Sequence, residues 1–164
     1  MRHRALVASV VGGFLGGLVG AAAMSVVHTE ITRARPPAPP PAGGREDDAT
    51  VKVADALSRT VRRAPLAERT KPLAGAIVHY AFGATTGLAH GLAAGITPLA
   101  GAAGGLGFGA AVWLGAHVVT VPALGLAPSP RRQPLGQEGL EFALHLLFGV
   151  CAEQVRRVAV RLAG

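Results

Sequence analysis

Residues 5–27 read ALVASVVGGFLGGLVGAAAMSVV, and this stretch decides the fold. It contains 23 residues without a charged side chain. At a rise of about 1.5 Å per residue, a helix of this length crosses a hydrocarbon core about 30 Å thick. We predict a transmembrane helix over 5–28, preceded by a short basic N-terminus over 1–4. A secretory signal peptide cleaved near Ala21-Ala22-Ala23 is the alternative, but the run is long for one and further apolar runs follow.

The composition of the whole chain also favours a membrane protein. Of its 164 residues 50% are hydrophobic and only 15% are charged, whereas a soluble domain carries about 25% charged residues. The net charge of +7 does not indicate nucleic-acid binding, because the arginines outside 29–72 border apolar runs and no aromatic residues alternate with them. The single cysteine, Cys151, excludes an intramolecular disulfide.

Three more runs follow, over 73–96, 101–121 and 137–163. Only Thr97-Pro98-Leu99-Ala100 separates the first two, so we expect an antiparallel hairpin. The last run follows a loop over 122–136 and is amphipathic. Its polar side chains should point into the bundle, although a helix lying in the headgroup layer is the alternative. We therefore predict an all-α fold, an integral membrane four-helix bundle.

The long first loop, 29–72, contains two recognisable segments. The prolines over 36–41 favour a stiff polyproline II spacer. Over about 50–63 the apolar residues Val53, Leu57 and Val61 recur every fourth position among charged residues, which predicts an amphipathic helix on the membrane surface.

Glycine recurs every fourth residue in three of the four predicted spans. In lipid, small residues let helix backbones approach closely, and this approach supplies much of the attraction between helices. Such rows indicate either a tight bundle or a homo-oligomer that assembles through one of them. The predicted helix-packing residues are Gly12, Gly16, Gly20, Gly83, Gly87, Gly91, Gly95, Gly101, Gly105 and Gly109.

Ionisable residues within the predicted spans are the candidate functional residues. Measured from the span midpoints, His79, His117 and Glu141 each lie about 7.5 to 9 Å from the midplane on the same side. Helical spacing adds His145 to the face of Glu141 and His90 to the face of His79. Together with Glu138, these residues form a predicted His/Glu layer.

Several functions fit such a layer. Imidazole changes charge between about pH 5 and 8, so the residues could sense or pass protons. Two histidines and a carboxylate could instead hold a transition metal, for which His79, His117, Glu141 and His145 are the candidate ligands, or histidines could ligate haem. The layer could also serve only as hydrogen-bonded glue between helices. We predict no cofactor, with metal or haem as the alternative.

Motifs of enzymes are not evident in the chain. It has no nucleophile elbow, no glycine loop of the nucleotide-binding type and no His-Glu-x-x-His motif. We therefore expect no catalytic residues and no enzymatic activity.

Short motifs along nearly the whole chain are similar to those of one bacterial family. They are Ala23-Met24-Ser25 at the end of the first span, 79–82 (HYAF), 113–117 (WLGAH) with Pro122, and the polar positions 138–156. In these features the chain resembles the YagU-like bacterial inner-membrane proteins, a domain of unknown function. The resemblance implies a multi-span inner-membrane protein and marks His79, His117, Glu141 and His145, without implying a reaction.

The basic residues suggest an orientation. Loops 29–72 and 122–136 share one side and hold eleven lysines and arginines, against five elsewhere. The positive-inside rule then favours cytoplasmic loops. Our leading hypothesis is an inner-membrane protein that conducts or responds to protons, with a metal or haem protein and a structural membrane component as alternatives.

Overall fold

The computed structural model describes residues 2–36 and 46–164, and every regular element within these ranges is helical. The all-α fold is thereby confirmed. Residues 37–41 of the predicted polyproline segment lie outside the described residues. The main helices are α1 (Arg2–Ala34), α2 (Ala49–Arg62), α3 (Lys71–Ile96), α4 (Leu106–Val112, continuing through Trp113–Thr120 to Val121–Ala123) and α5 (Leu135–Ala163).

Two segments of the described chain are long and apolar enough to cross a membrane. They are His3–Ala34, which is α1, and Leu99–Ala123, which contains α4. In α3 the histidines, threonines and glycines lower the mean hydropathy, and α5 carries glutamates and arginines. The helices also differ from the predicted spans in length, because α1 extends beyond 5–28 at both ends and α5 starts two residues before 137.

The first helix lies between two partners because its two glycine rows face different ways. A Cβ on Gly13 would lie 2.7 Å from the Gly91 Cα of α3. A Cβ on Gly16, in the other row, would lie 2.9 Å from the Ala152 Cα of α5. In helix packing of this kind, van der Waals contact between backbones replaces side-chain interdigitation. The adjacent glycine pairs in α1 therefore let it pack tightly against α3 and α5 at once.

The remaining helices extend this core. α4 packs against α5, where a Cβ on Gly109 would meet the backbone at His145 and Leu146. α3 and α4 approach each other mainly through side chains, since His90 stacks on Phe108. Among the four long helices, α1 packs closely against α3 and α5, and α4 packs closely against α5. The side between α3 and α4 stays open.

The turn between α3 and α4 takes more residues than predicted. Residues Pro98–Gly105 form 3₁₀ turns, and Ala103, Gly104 and Gly105 all have positive φ. Three left-handed residues in a row reverse the chain before α4 begins. Within the third predicted span, 101–121, the regular α-helix therefore begins only at Leu106, and Gly101 and Gly105 lie in the reversal.

A π-helix interrupts α4 over Trp113–Thr120 and ends two residues before Pro122. Proline has no N–H to donate and its ring crowds the preceding turn, so a wider turn is a way to keep the helix continuous. The Thr120 hydroxyl donates to the Gly115 carbonyl at 2.7 Å, five residues back. The π-helix contains His117 and sets the direction of its side chain.

The amphipathic helix α2 packs on the start of α3. Asp48 caps it by accepting a hydrogen bond from the Val51 N–H at 2.9 Å. Its buried face consists of Val51, Ala54 and Ser58. Leu57 and Val61, by contrast, are 56% and 79% exposed. The predicted apolar stripe therefore faces away from the protein.

The segment after α2 is held by Asp55, whose carboxylate accepts from the Leu66 N–H at 2.7 Å and from Arg59 Nε at 2.7 Å. These hydrogen bonds, that from Leu66 first, lower the pKa of the Asp55 carboxyl from its ordinary value. A lowered pKa means that the contact stabilises the fold above the ordinary pKa of about 4 and is lost as the pH falls through the folded value. We expect the protection of the Leu66 amide from hydrogen exchange, corrected for intrinsic rates, to fall below about pH 4.

The variant Asp55→Asn supplies the control. It should lower Leu66 protection at neutral pH and remove its pH dependence. Constant protection of Leu66 in the original chain from about pH 6 to pH 3 would contradict this role of Asp55.

Candidate functional site

Within residues 2–36 and 46–164 the interior holds two polar clusters, and the larger one surrounds Glu153. The Glu153 carboxylate is completely buried. It accepts hydrogen bonds from Arg156 Nε and Nη2, each at 2.7 Å, and from Arg157 Nε at 2.6 Å. On the other side, His90 Nε2 lies 2.8 Å from Glu153 Oε2. An ionised carboxylate only accepts hydrogen bonds, so His90 donates through Nε2.

The Glu153 cluster (Ser9, His90, Glu153, Arg156 and Arg157) connects several parts of the fold. Arg156 Nη1 donates to the Ser9 hydroxyl of α1 at 3.1 Å, and that hydroxyl donates to the Gly91 carbonyl of α3 at 2.7 Å. Arg157 Nη2 donates to the Gly101 carbonyl in the reversal at 2.8 Å. The cluster therefore ties α1, α3, α5 and the reversal together at one end of the molecule.

The smaller cluster, which we call the His117 cluster, consists of Trp113, His117, Glu138 and His145. His117 Nε2 lies 3.1 Å from Glu138 Oε2, and the rings of His117 and His145 have centroids 5.9 Å apart. His145 donates through Nδ1 to the Glu141 carbonyl at 2.7 Å. The side chains of His117 and Glu138 are 26% and 12% exposed, so the described residues cover this pair only in part.

Trp113 adds an unsatisfied group to this cluster. Its ring stacks on His117 with a centroid distance of 6.3 Å and meets Phe142 edge-on at 4.9 Å. The indole Nε1 is buried and has no hydrogen-bond partner among the described residues. Buried N–H groups without a partner are uncommon in folded proteins, and π-helical turns occur frequently at functional sites.

The two clusters are separated along α5. His145 and Glu153 are eight residues apart, a rise of about 12 Å. Between them lie buried Phe148, which contacts Phe108 at a centroid distance of 5.6 Å, and Gly149. Apolar packing therefore divides the polar interior, and no continuous chain of hydrogen bonds joins the clusters among the described residues.

The predicted His/Glu residues fall into different surroundings. His117, Glu138 and His145 come together in the His117 cluster, whereas His90 belongs to the Glu153 cluster. His79 donates through Nε2 to the Ala21 carbonyl of α1 at 3.2 Å and lies within electrostatic range of His145.

Glu141 also lies within electrostatic range of His145, and its backbone carbonyl rather than its carboxylate binds that ring. The predicted polar face of α5 is half-buried at Glu138 and Glu141, while the fully buried face passes through Leu144, Phe148 and Glu153. The described residues contain no group of three or more His, Cys, Asp or Glu side chains arranged to hold a metal ion.

Glu153 was not among the candidate functional residues predicted from the sequence. Its partners Arg156 and Arg157 follow at i+3 and i+4, the spacing of side-chain pairs on a helix. That spacing was a usable signal. However, a glutamate beside two arginines at the end of an apolar run is also typical of a solvated position among lipid headgroups. The structure shows instead that the reversal at Gly101 packs over the Glu153 carboxylate and shields it from solvent.

The predicted helix-packing glycines have neighbours within the chain. A Cβ on Gly87 would lie 2.7 Å from the Gly17 Cα, and one on Gly95 would lie 2.6 Å from Leu6 Cδ1. In the reversal, a Cβ on Gly101 would lie 2.5 Å from Glu153 Oε1. The same holds for the others, whose added Cβ would contact another segment of the chain within about 3 Å: Gly12, Gly16, Gly20, Gly83, Gly91, Gly105 and Gly109.

Comparison with known proteins gives one match. The family model described as "Protein of unknown function (DUF1440)" matches residues 58–154, which is more than half of the chain. The match is consistent with the resemblance to YagU-like proteins. No curated protein and no solved structure shows significant similarity to this chain.

Proposed function

This chain belongs to the DUF1440 family, whose description assigns no function, and we propose that it is a non-enzymatic, multi-pass protein of the bacterial inner membrane that responds to pH through its His117 cluster. The observation that carries the proposal is the pair of His117 and Glu138, 3.1 Å apart, with a second imidazole beside it.

Four membrane spans are the first part of this proposal. α1 and α4 are apolar enough to cross by themselves. α3 and α5 have 26 and 29 residues, lengths of about 39 and 43 Å, and their polar side chains largely turn toward the other helices. Ionisable groups in a bilayer are expected to face the interior and to pair, as His90, Glu153 and Arg156 do. The basic loops 29–72 and 122–136 would then be cytoplasmic.

The pH response follows from the charges that face His117. Protonation of its ring would convert the hydrogen bond with Glu138 into an ion pair. A protonated His117 would also repel a protonated His145. The charges of His79 and Glu141 act on His145 as well. A change in the attraction to Glu138 and the repulsion from His145 would act on α4 at His117. The helix is π-helical there and already departs from regular geometry. We propose that proton uptake at the cluster shifts α4 against α5.

The test compares His117→Ala and Glu138→Gln with the original chain in proteoliposomes and in cells exposed to acid. We expect both variants to lose most of the change in proton flux between about pH 5 and 8, and to reduce acid survival, because each removes one partner of the imidazole–carboxylate contact. His28→Ala is the matched control, since His28 is an exposed histidine near the end of α1. Unchanged flux and survival in both folded variants would refute the proposed pH response.

A further inference from the structure

The open side between α3 and α4 forms a cleft of about 550 Å³, a volume typical of small-molecule sites. Its walls are almost entirely apolar, with small side chains from α3 and α4 and with the reversal closing one end. Representative lining residues are Ala89, His90, Ala93, Leu99, Gly107 and Phe108. Such walls favour an apolar occupant.

Two lining side chains are polar. Thr86 donates its hydroxyl hydrogen to the Phe82 carbonyl at 2.8 Å and keeps the lone pairs of a half-buried hydroxyl. His90 is 96% buried, and its ring stacks on Phe108 with a centroid distance of 4.1 Å and an interplanar angle of 16°. The stacking on Phe108 and the contact with Glu153 hold the imidazole in one orientation beside the cleft.

Glu153 determines which ring nitrogen of His90 remains free. The carboxylate takes the Nε2–H, and in the neutral ring the other nitrogen, Nδ1, is then an acceptor. Nδ1 has no hydrogen-bond partner in residues 2–36 and 46–164. Arg156 and Arg157 already supply two positive charges to this one carboxylate. A carboxylate on the far side of an imidazole strengthens the ring as an acceptor.

We propose that the cleft between α3 and α4 binds an apolar molecule dissolved in the membrane that carries a hydroxyl group, and that this hydroxyl donates to His90 Nδ1. The apolar walls select the body of the molecule, and the His90 acceptor selects a donor at its head. Phenols, including quinols, and long-chain alcohols share this chemistry. This binding site is independent of the His117 cluster.

The test measures retention of three probes by nanodiscs that contain the purified 164-residue chain, after subtraction of empty nanodiscs, by mass spectrometry. The probes are 4-hexylphenol, its methyl ether, which lacks the donor, and 1-decanol. We expect the phenol to bind on the order of tenfold more tightly than the ether, the effect of one buried hydrogen bond. Binding of 1-decanol as tight as that of the phenol would assign an aliphatic alcohol, and weaker binding a phenolic ligand.

Matched glycine variants locate the site. A Cβ on Gly107, in the cleft wall, would meet nothing within 4 Å, so Gly107→Leu should fold and fill the cleft. It should abolish phenol retention. Gly115 lies on the same helix, also has open space at its Cβ and does not line the cleft, so Gly115→Leu should retain the phenol. Ala111→Leu is a second filling variant. Equal retention of phenol and ether, or retention that survives both filling variants, would overturn the proposal.

Discussion

Glu153→Gln is expected to destabilise the folded protein by roughly 3–5 kcal/mol, the cost of removing one partner from a buried ion pair. The substitution preserves the size of the side chain but removes the charge that Arg156 and Arg157 share. A neutral amide also presents one oxygen where the carboxylate uses two, because Arg156 and His90 bind Oε2 and both arginines bind Oε1. At least one buried guanidinium nitrogen would lose its acceptor.

Thermal unfolding in a single detergent, followed by circular dichroism, measures this effect. Glu141→Gln is the matched control, since it makes the same chemical change on the same helix at a half-buried carboxylate that accepts no hydrogen bond from the described residues. It should shift the melting temperature little. If Glu153→Gln and Glu141→Gln have the same melting temperature, the buried charge of Glu153 does not stabilise the fold through Arg156 and Arg157.

Gly87→Leu is expected to prevent α1 and α3 from packing, with little folded protein recovered. A Cβ at this position would lie 2.7 Å from the Gly17 Cα and 2.8 Å from the Gly17 N, and would also meet the Gly13 carbonyl oxygen. These atoms belong to a helix backbone and cannot move aside as a flexible side chain would. Overpacking of a side-chain core costs about 1–3 kcal/mol, and contact with backbone should exceed that range.

The measurement is the fraction of monodisperse protein after detergent extraction and gel filtration. Gly115→Leu provides the comparison, because a Cβ there meets nothing within 4 Å. It adds the same side chain to a helix without obstructing a neighbour, so its yield should match that of the original chain. Normal recovery of Gly87→Leu would show that α1 and α3 are not held at this separation.

The glycine rows were predictable from the sequence only in part. Because small residues every fourth position create a flat stripe on a helix, the rows in α1 and α3 were predictable as contact surfaces. Their partners were not predictable. Gly13 and Gly12 are neighbours in the chain, yet one faces α3 and the other α5. Pairing depends on how the helices are arranged, and periodicity within one helix does not carry that information.

For the polar residues, too, the depth in the bundle was predictable but the partner was not. Depth along a helix is a count of residues, so the expectation that His117 and Glu141 lie near the same level could be made from spacing alone. Which carboxylate meets His117 depends on the rotation of α5 and on the π-helix at Trp113–Thr120, and the structure selects Glu138. The extra residue per turn in a π-helix rotates every side chain that follows it.

Helical period, run length and charge are local properties of a chain, so they were enough to predict an all-helical protein with apolar segments suited to lipid. Local properties did not predict that Glu153 forms a buried network with Arg156, Arg157 and His90, or that His90 borders an open cleft. These features depend on burial. Whether a charged side chain contacts water or another charge depends on which distant segment covers it, here the reversal at Gly101.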